Sequence, residues 1–418
     1  MTHDREIGAE NRETLRDEHA QAKSSLAARQ RSSHLGRWIV NSYKAVAIVT
    51  LNTLILFACL ELAATVVAKI WKEHEPVGEE ERPRAHVSYY AFQAWAKQYW
   101  REFSLSRTSL YRPYVIWRRA PFQGNFININ QDSMRLTPGA VCSVKSYKVF
   151  AFGGSTMWGT GAPDWGTIPA YLQADFTALL HEPVCVMNFG ESGFVSTQSV
   201  IQLMQELQSG NIPHLVIFYD GVNDTYAAYQ SGRPTHQNFN QIADKLQNGE
   251  SPPPSFVAWV ESLHSFHLLK RFGAEVSQRP RNSTDLLTYK TMGIDTGSLS
   301  DSIVETYISS YEIVHALARE YGFKPLFFWQ PVITIGDKSL TSEEQEMKRR
   351  LDPALIELYE SVYRRVQQVA EKYEDLYYMA KVFDENEPLV WIDSAHVIPE
   401  GNRLIAQKML QVIMDRNP

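Results

Sequence analysis

From about residue 146 onward, short apolar runs alternate with longer amphipathic stretches. The apolar runs are rich in β-branched and aromatic residues and lie at 147–152, 184–188, 215–219, 325–329 and 376–382. The amphipathic stretches between them, which have helical spacing of apolar residues, include 167–180, 197–208, 303–321 and 343–372. Strands that alternate with helices predict a parallel sheet covered by helices on both faces. Ligand chemistry is then expected at the carboxyl ends of the strands.

A different apolar pattern lies near the N-terminus. Residues 45–68 read AVAIVTLNTLILFACLELAATVVA, about two dozen residues with a single charge, and a bilayer core needs roughly 20. Trp38, Tyr43 and Trp71 flank the stretch where aromatic side chains anchor a helix at the interface. The pattern predicts a membrane span. A cleaved signal peptide fits less well because the charged leader is long and the apolar stretch exceeds roughly 7–15 residues.

The one charge in this stretch is Glu61. A carboxylate near the middle of a bilayer costs roughly 2.5–3.5 kcal/mol on insertion scales. Two interpretations stay open: Glu61 contacts a partner, or it is tolerated because it is protonated or reaches interfacial water. The Lys and Arg residues on the two sides of the span are nearly balanced, so the charge pattern only leans towards a cytoplasmic N-terminus.

The patterns together predict four regions. We expect a flexible cytoplasmic tail at 1–36, a membrane anchor at 37–72, a linker with an aromatic-rich extension at 73–145, and a catalytic domain at 146–418. A long insertion at about 225–300 interrupts the catalytic domain and contains the sequence SPPP at 251–254. Insertions at strand ends often form lids or substrate walls. The alternative is that its apolar face packs on the domain or touches the bilayer.

Composition excludes some functions. A formal net charge of -6 and the lack of a basic run argue against a nucleic-acid partner. Three cysteines do not make a disulfide framework or a metal site, and no metal or organic cofactor is indicated. We expect Cys142 and Cys185 to be free buried thiols, with pairing in an oxidising compartment as the alternative.

The candidate nucleophile is Ser155. It follows the first strand of the predicted sheet directly, and Gly153 and Gly154 before it allow a tight turn and close approach of a substrate. The loop lacks the Lys-Ser/Thr ending of a P-loop and the G-x-G-x-x-G of a dinucleotide site. It is not G-x-S-x-G either, because Met157 occupies the last position.

A nucleophilic serine needs a base, a group that orients the base, and donors for an oxyanion. Asp393 and His396, three residues apart after the last strand, could supply the first two. Two further loops follow the second and third strands. The backbone amide of Gly193 and the side-chain amide of Asn223 in these loops could point at the site above Ser155.

These residues resemble the SGNH (GDSL-like) hydrolase family, whose markers are Ser, Gly, Asn and His in that order. Ser155, Gly193, Asn223 and His396 each match one block, and Asp393 completes the D-x-x-H pattern, over roughly 146–415. The resemblance implies a flavodoxin-like three-layer fold and an oxyanion hole formed by the amides of Ser155 and Gly193 with the Asn223 side chain. The usual G-D-S reads Gly-Gly-Ser here, so the packing of the loop must differ.

The segment before the domain adds a finer resemblance. FININ at 126–130, followed by DSMR at 132–135, is similar to the block that precedes the domain in bacterial membrane-anchored members. Those members have one N-terminal span and an extracytoplasmic catalytic domain, which implies the same topology here. Arg135, the last residue of this block, is expected to form a salt bridge to the domain rather than to bind substrate.

The leading hypothesis is an esterase that removes an acyl group through an acyl-enzyme, with an O-acetyl ester on a glycan as the expected substrate. Trp158 and Trp165 could stack on a sugar, or they could pack the loop onto the helix. One rival is an O-acyltransferase with the same triad, in which a sugar hydroxyl replaces water. The other is a non-catalytic glycan-binding assembly subunit. Such a protein would not need to keep all five of the residues Ser155, Gly193, Asn223, Asp393 and His396.

Overall fold

The computed structural model describes residues 38, 41–67, 81–235, 263, 265–266, 287–386 and 388–416. The chain divides into two compact units: Met1–His74 with Pro252–Arg279, and Glu75–Ser251 with Pro280–Pro418. The tail expected at 1–36 and most of the insertion expected at about 225–300 lie outside the described residues.

In the first unit, α1 (Asn41–Val67) has 27 residues and contains an 18-residue window with a mean hydropathy of 2.2. Among the described residues it is the one helix long and apolar enough to cross a membrane. The Glu61 carboxylate accepts hydrogen bonds from the Ser265 hydroxyl at 2.6 Å and the Ser265 amide at 3.2 Å. Of the two interpretations of Glu61, the structure therefore shows a partner contact, and the partner belongs to the insertion of the same chain.

The second unit begins with the aromatic-rich extension. Its elements are the helices α2 (Arg82–Ala85), α3 (Ser88–Ala91) and α4 (Ala96–Leu105), then the strands β1 (Ser109–Arg112), β2 (Ile116–Arg119), β3 (Phe122–Gln123) and β4 (Asn128–Ile129). Strands β1 and β2 pair antiparallel, as do β3 and β4. Buried rings of the extension, including Tyr99, Trp100 and Phe103, pack against Trp158 and Ile392 of the catalytic domain.

Five parallel strands form the central sheet. With the helices between them, the elements are β5 (Tyr147–Gly153), α5 (Ser155–Trp158), α6 (Ile168–Leu179), β6 (Val184–Asn188), α7 (Ser196–Gln208), β7 (Leu215–Asp220), α8 (Val222–Ser231), α9 (Thr296–Tyr321), β8 (Lys324–Trp329), α10 (Ser342–Arg349), α11 (Pro353–Ala370), β9 (Leu376–Tyr378) and α12 (Pro399–Arg416). The spatial order is β6-β5-β7-β8-β9. This is the 2-1-3-4-5 order of flavodoxin-like folds, so the predicted fold class is confirmed.

Alternating side chains of each strand enter two separate cores. On one face, Phe152, Phe218 and Trp329 pack with residues of α7, α9 and α11. On the other face, Ala151 and Ile217 pack with residues of α6 and α12. The sheet is therefore covered on both sides, which explains why its strands read as nearly continuous apolar runs.

Two predicted elements differ from the structure because of capping residues. The helix predicted at 343–372 is broken into α10 and α11, since Pro353 begins a new helix and the Asp352 carboxylate accepts the Ala354 amide at 2.7 Å. Helix α9 begins at Thr296, before the predicted 303, because Asp295 caps it by accepting the Ser298 amide at 2.8 Å. The last strand ends at Tyr378 rather than at residue 382.

The expectation of free thiols at Cys142 and Cys185 is wrong. The two residues form a disulfide, with Cα atoms 4.9 Å apart. The Val141 amide donates to the Val184 carbonyl at 2.9 Å, so a backbone contact beside the edge strand β6 aligns the two side chains. Spacing along the chain gives no sign of that contact. Cys59 is an exposed free cysteine.

Removing the disulfide should destabilise the second unit. The bridge links residues 43 positions apart. A loop of that length restricts the unfolded chain by an amount corresponding to about 2–4 kcal/mol. We expect the Cys142→Ser/Cys185→Ser variant to unfold at lower urea concentration than the unaltered protein, as measured by tryptophan fluorescence in detergent. Cys59→Ser is the control and should leave the midpoint unchanged. Equal midpoints for all three proteins would contradict the assignment.

Candidate active site

Ser155 lies where β5, the second strand in the spatial order of the sheet, meets a helix. Strand β5 ends at Gly153, one residue intervenes, and Ser155 opens the four-residue helix α5. The Trp158 amide donates to the Gly154 carbonyl at 3.0 Å, which closes the turn. Ser155 is half-buried, so its hydroxyl stands at the carboxyl edge of the sheet within reach of solvent.

The loop that carries Asp393 and His396 is a narrow turn between two short paired segments. Trp391 and Val397 form an antiparallel bridge, and the Ile392 amide donates to the His396 carbonyl at 2.9 Å. At the base of the loop, the buried Glu344 carboxylate accepts the amides of Val390 and Trp391 at 2.9 and 3.1 Å. The turn therefore holds the two side chains at its tip in a fixed position.

The three side chains form a continuous chain of hydrogen bonds. His396 Nε2 is 2.6 Å from Ser155 Oγ, and His396 Nδ1 is 2.8 Å from Asp393 Oδ2. Asp393 Oδ1 also accepts the backbone amides of Ala395 and His396 at 2.9 and 2.8 Å. Partial burial disfavours the Asp393 charge, but His396 and then Arg84 outweigh it and hold the pKa of this carboxyl well below its usual range. The carboxylate is thus ionised and faces the imidazole.

Asn223 and Gly193 lie on the neighbouring loops, as expected from the sequence. The Asn223 side-chain amide donates to the Phe194 carbonyl at 2.7 Å, which ties the loop after β7 to the loop after β6. Gly193, next to Phe194, has φ +79°, a backbone conformation that glycine adopts without strain. A primary amide has two N–H groups, so one of the two on Asn223 is not needed for the Phe194 contact.

The second glycine of Gly-Gly-Ser is explained by Asn223. A Cβ built on Gly154 would fall well inside contact distance of Asn223 Nδ2. In this structure, a side chain at position 154 would therefore require the Asn223 amide to move. The departure from the family pattern is thus matched by a close approach of the Asn223 amide to the backbone just before Ser155.

Buried polar groups hold these loops in place. Asp224 accepts the Ser196 hydroxyl and amide at 2.6 and 3.0 Å and the Gly221 amide at 3.2 Å. Burial raises the pKa of the Asp224 carboxyl, although these hydrogen bonds oppose the shift. Gln330, directly after β8, accepts the Val222 amide at 3.2 Å and donates to the hydroxyl of Thr156. One carboxamide therefore links the nucleophile turn to the Asn223 loop.

The extension grips the loop that carries Gly193. The Arg119 amide donates to Glu191 at 2.8 Å, and the Trp117 indole donates to the Ser192 carbonyl at 3.0 Å. Burial lowers the pKa of the Arg119 guanidinium to about 10, with Glu191 acting against that shift. Strand β2 is thus part of the structure that positions this loop.

Trp158 does not have the sugar-stacking role suggested for it, because it is buried. The guanidinium groups of Arg119 and Arg135 lie over its ring, at 3.9 and 4.3 Å from the centroid. The alternative interpretation, packing of the loop, fits this position. Arg135 forms the expected salt bridge, with its Nε 2.8 Å from Asp164. Trp165 keeps 48% of its surface exposed and meets the ring of Trp95 edge-on at 5.9 Å, so it is still available as a substrate contact.

Three residues at the site were missed by sequence reasoning: Arg84, Glu191 and Gln330. Glu191 and Gln330 lie just after strands, where their position at the carboxyl edge was a usable signal. Arg84 lies far upstream in a short helix and its contact with Asp393 spans 309 positions, so no local pattern indicates it.

No family model matches the chain, and no curated protein matches it. Solved structures do. An acetyl xylan esterase is 16% identical, with a TM-score of 0.35, over 64% of this chain and 99% of that one. A carbohydrate acetylesterase family member from Sinorhizobium meliloti is 12% identical, with a TM-score of 0.31, over 64% of this chain and 96% of that one. A member of the lipolytic protein G-D-S-L family from Veillonella parvula is 12% identical, with a TM-score of 0.33, over 64% of this chain and 98% of that one. The structural neighbours are thus G-D-S-L-type esterases, and the likeness is distant.

The approach of Asn223 to Gly154 can be tested by adding one methyl group. Gly154→Ala should displace the Asn223 amide and lower kcat for an acetyl ester by roughly 10²–10³, the range expected for loss of one oxyanion donor. Asn223→Ala should have a similar effect, and the double variant should be little worse than either single variant. The matched control is Gly297→Ala, where the new methyl meets only the tips of the Asp295 and Arg365 side chains. A Gly154→Ala protein with unchanged kcat would contradict the assignment.

Proposed function

We propose that the protein is a serine esterase of the SGNH type, in which Ser155 is the nucleophile, His396 the general base and acid, and Asp393 the residue that orients the imidazole. One observation carries this proposal: the unbroken chain of hydrogen bonds of 2.8 and 2.6 Å from Asp393 through His396 to Ser155. The ionised Asp393 favours the tautomer with a proton on Nδ1, which leaves Nε2 free to accept the serine proton.

In the proposed reaction, Ser155 Oγ bonds to the acyl carbonyl carbon while its proton passes to His396 Nε2. The oxyanion of the tetrahedral intermediate accepts hydrogen bonds from the amides of Ser155 and Gly193 and from Asn223 Nδ2. The intermediate collapses, the bond to the alcohol oxygen breaks, and His396 returns the proton to that oxygen. Water then attacks the acyl-enzyme, again losing a proton to His396, and the acid is released as Ser155 recovers its proton.

We propose an O-acetyl ester on a glycan as the substrate. Support comes from the exposure of Trp165, since an exposed aromatic ring that packs perpendicular to Trp95 offers apolar surface to a sugar. The acceptor is water in this proposal, whereas a sugar hydroxyl in the same place would make the protein an O-acyltransferase. Product analysis with and without an unacetylated glycan separates the two.

We also propose that α1 anchors the protein, with the N-terminus in the cytoplasm and the catalytic domain outside it. The length and hydropathy of α1 support the span. The disulfide between Cys142 and Cys185 supports an oxidising compartment for the catalytic domain, because thiols are kept reduced in the cytoplasm.

The enzyme proposal can be tested on Ser155 directly. The detergent-solubilised protein should hydrolyse a chromogenic acetyl ester and should take up one serine-reactive phosphonate on Ser155, as located by peptide mass spectrometry. Ser155→Ala should lose both the label and at least about 10³ of the turnover. Ser394→Ala, which removes a hydroxyl from the loop that carries His396, should keep both. Folded protein with neither turnover nor label would leave a non-catalytic binding role instead.

The role of Trp165 can be separated from the chemistry by comparing two substrates. Trp165→Ala should raise KM for an O-acetylated oligosaccharide by roughly three- to tenfold, since an aromatic contact of this kind is worth about 0.5–1.5 kcal/mol. The small chromogenic acetate should be hydrolysed with unchanged kcat and KM. Equal effects on both substrates would indicate that Trp165 only supports the loop.

A further inference from the structure

Arg84 meets the proposed triad from outside the catalytic domain. It lies in α2, between the membrane helix and the sheet in the sequence, and its Nε is 2.5 Å from Asp393 Oδ2. We propose that Arg84 is a positioning residue of the esterase. It fixes the second oxygen of Asp393, Oδ2, and its positive charge weakens the attraction between that carboxylate and the proton on His396. This inference rests on the proposed function, since it assigns a role within the same triad.

His396 Nδ1 lies within hydrogen-bond distance of both oxygens of Asp393, 2.9 Å from Oδ1 and 2.8 Å from Oδ2, and the other donors divide between the two oxygens. Oδ1 accepts the amides of Ala395 and His396, both from the loop itself. Oδ2 accepts from Arg84 and lies 2.8 Å from His396 Nδ1. Apart from the imidazole, the loop donates to Oδ1 and Arg84 donates to Oδ2, so Arg84 helps to fix the rotation of the carboxylate. A carboxylate held at both oxygens keeps its plane towards the imidazole.

The pair lies in a partly dry environment. The Arg84 side chain is 29% exposed and the Asp393 side chain is 23% exposed. Removal from water works against the guanidinium charge, but Asp393 and then Glu81 outweigh it, so that the pKa of Arg84 is raised. Glu81 is itself paired with Arg107, at 2.5 Å, so Arg84 retains net positive influence on the triad.

Among the described residues, the neutral phenols of Tyr90 and Tyr359 also interact with Asp393. Burial raises the pKa of Tyr90 and of Tyr359 well above that of a free tyrosine, and Asp393 acts in the same direction on both. The charges next to the Asp393 carboxylate are thus those of Arg84 and, when it is protonated, His396. A change of charge at Arg84 should therefore change how tightly His396 holds its proton, and neighbouring charges should offset little of that change.

The two helices that follow α2 in the chain, α3 and α4, are docked by several polar contacts. The Tyr90 hydroxyl donates to the Gly161 carbonyl at 2.6 Å, and the Gly161 amide donates to the Tyr99 hydroxyl at 2.7 Å. The Ser88 hydroxyl donates to Glu343 at 2.6 Å. Gly161 follows α5 closely in the chain, so these contacts join the extension that carries Arg84 to the segment next to Ser155.

The test compares three variants in the full-length protein in detergent. Arg84→Gln removes the charge beside Asp393, so a protonated imidazole is stabilised; the acidic limb of kcat/KM should move upward by about 0.5–1 pH unit, and kcat should fall roughly tenfold. Arg84→Lys keeps the charge but loses the Nε–H donor; its acidic limb should stay in place while kcat falls severalfold. Arg82→Gln is the matched control, because Arg82 is the exposed arginine of the same helix and should alter neither value.

A second readout does not depend on turnover. The titration midpoint of His396, followed by NMR of isotope-labelled imidazole and assigned with a His396→Gln variant, should rise in Arg84→Gln by the same amount as the acidic limb. If Arg84→Gln behaves like Arg82→Gln in both measurements, the inference is overturned. If Arg84→Gln does not fold, the lysine variant decides, and wild-type kcat there would overturn the role of the donor. If the NMR midpoint moves but no protein shows turnover, the proposed function fails while the role of Arg84 stands.

Discussion

The loops at the carboxyl edge of the sheet are held by buried carboxylates that accept backbone amides. Edge loops leave amides without the partners that strands provide, and such amides must be satisfied when they are buried. Glu344 does this for the base of the His396 loop, Glu191 for the loop of Gly193, and Asp224 for the loop of Asn223. Within the extension, Glu102 accepts three consecutive amides, those of residues 125–127. Because charged acceptors make strong hydrogen bonds, each carboxylate fixes the conformation of a whole loop.

These buried carboxylates determine which parts of the candidate site have a fixed geometry. The parallel sheet brings the loops of Gly193, Asn223 and His396 to one edge, but it does not set their conformations. The position of Ser155 Oγ depends on a turn that has no room for a side chain at Gly154, because the Asn223 amide fills that place. The position of His396 depends on Asp393, whose second oxygen is held from the extension. Catalytic geometry therefore depends on contacts between segments that are distant in the chain.

The sequence was sufficient for features that depend on local pattern. The five strands, the order of elements and the juxtaposition of Ser155 with Asp393 and His396 follow from apolar runs and from the rule that strand ends share an edge. The burial of Trp158 and the bond between Cys142 and Cys185 could not be predicted in this way. Both depend on which surface the extension and the edge strand meet, and that is set by contacts between segments far apart in the chain. Helix limits at Asp295 and Asp352 were missed because single capping residues outweighed periodicity.

The contacts of strand β2 limit how the extension and the domain can be exchanged between related proteins. Trp117 and Arg119 of the extension donate hydrogen bonds to the loop that carries Gly193. The Arg119 guanidinium also lies over the ring of Trp158, which belongs to the domain. The extension and the sheet therefore share one set of side chains and must change together. A segment that carries all of these contacts and that of Arg84 with the proposed triad therefore includes α2, which lies well before the first strand of the sheet. A recombination event between the two would separate residues that have no substitute on either side.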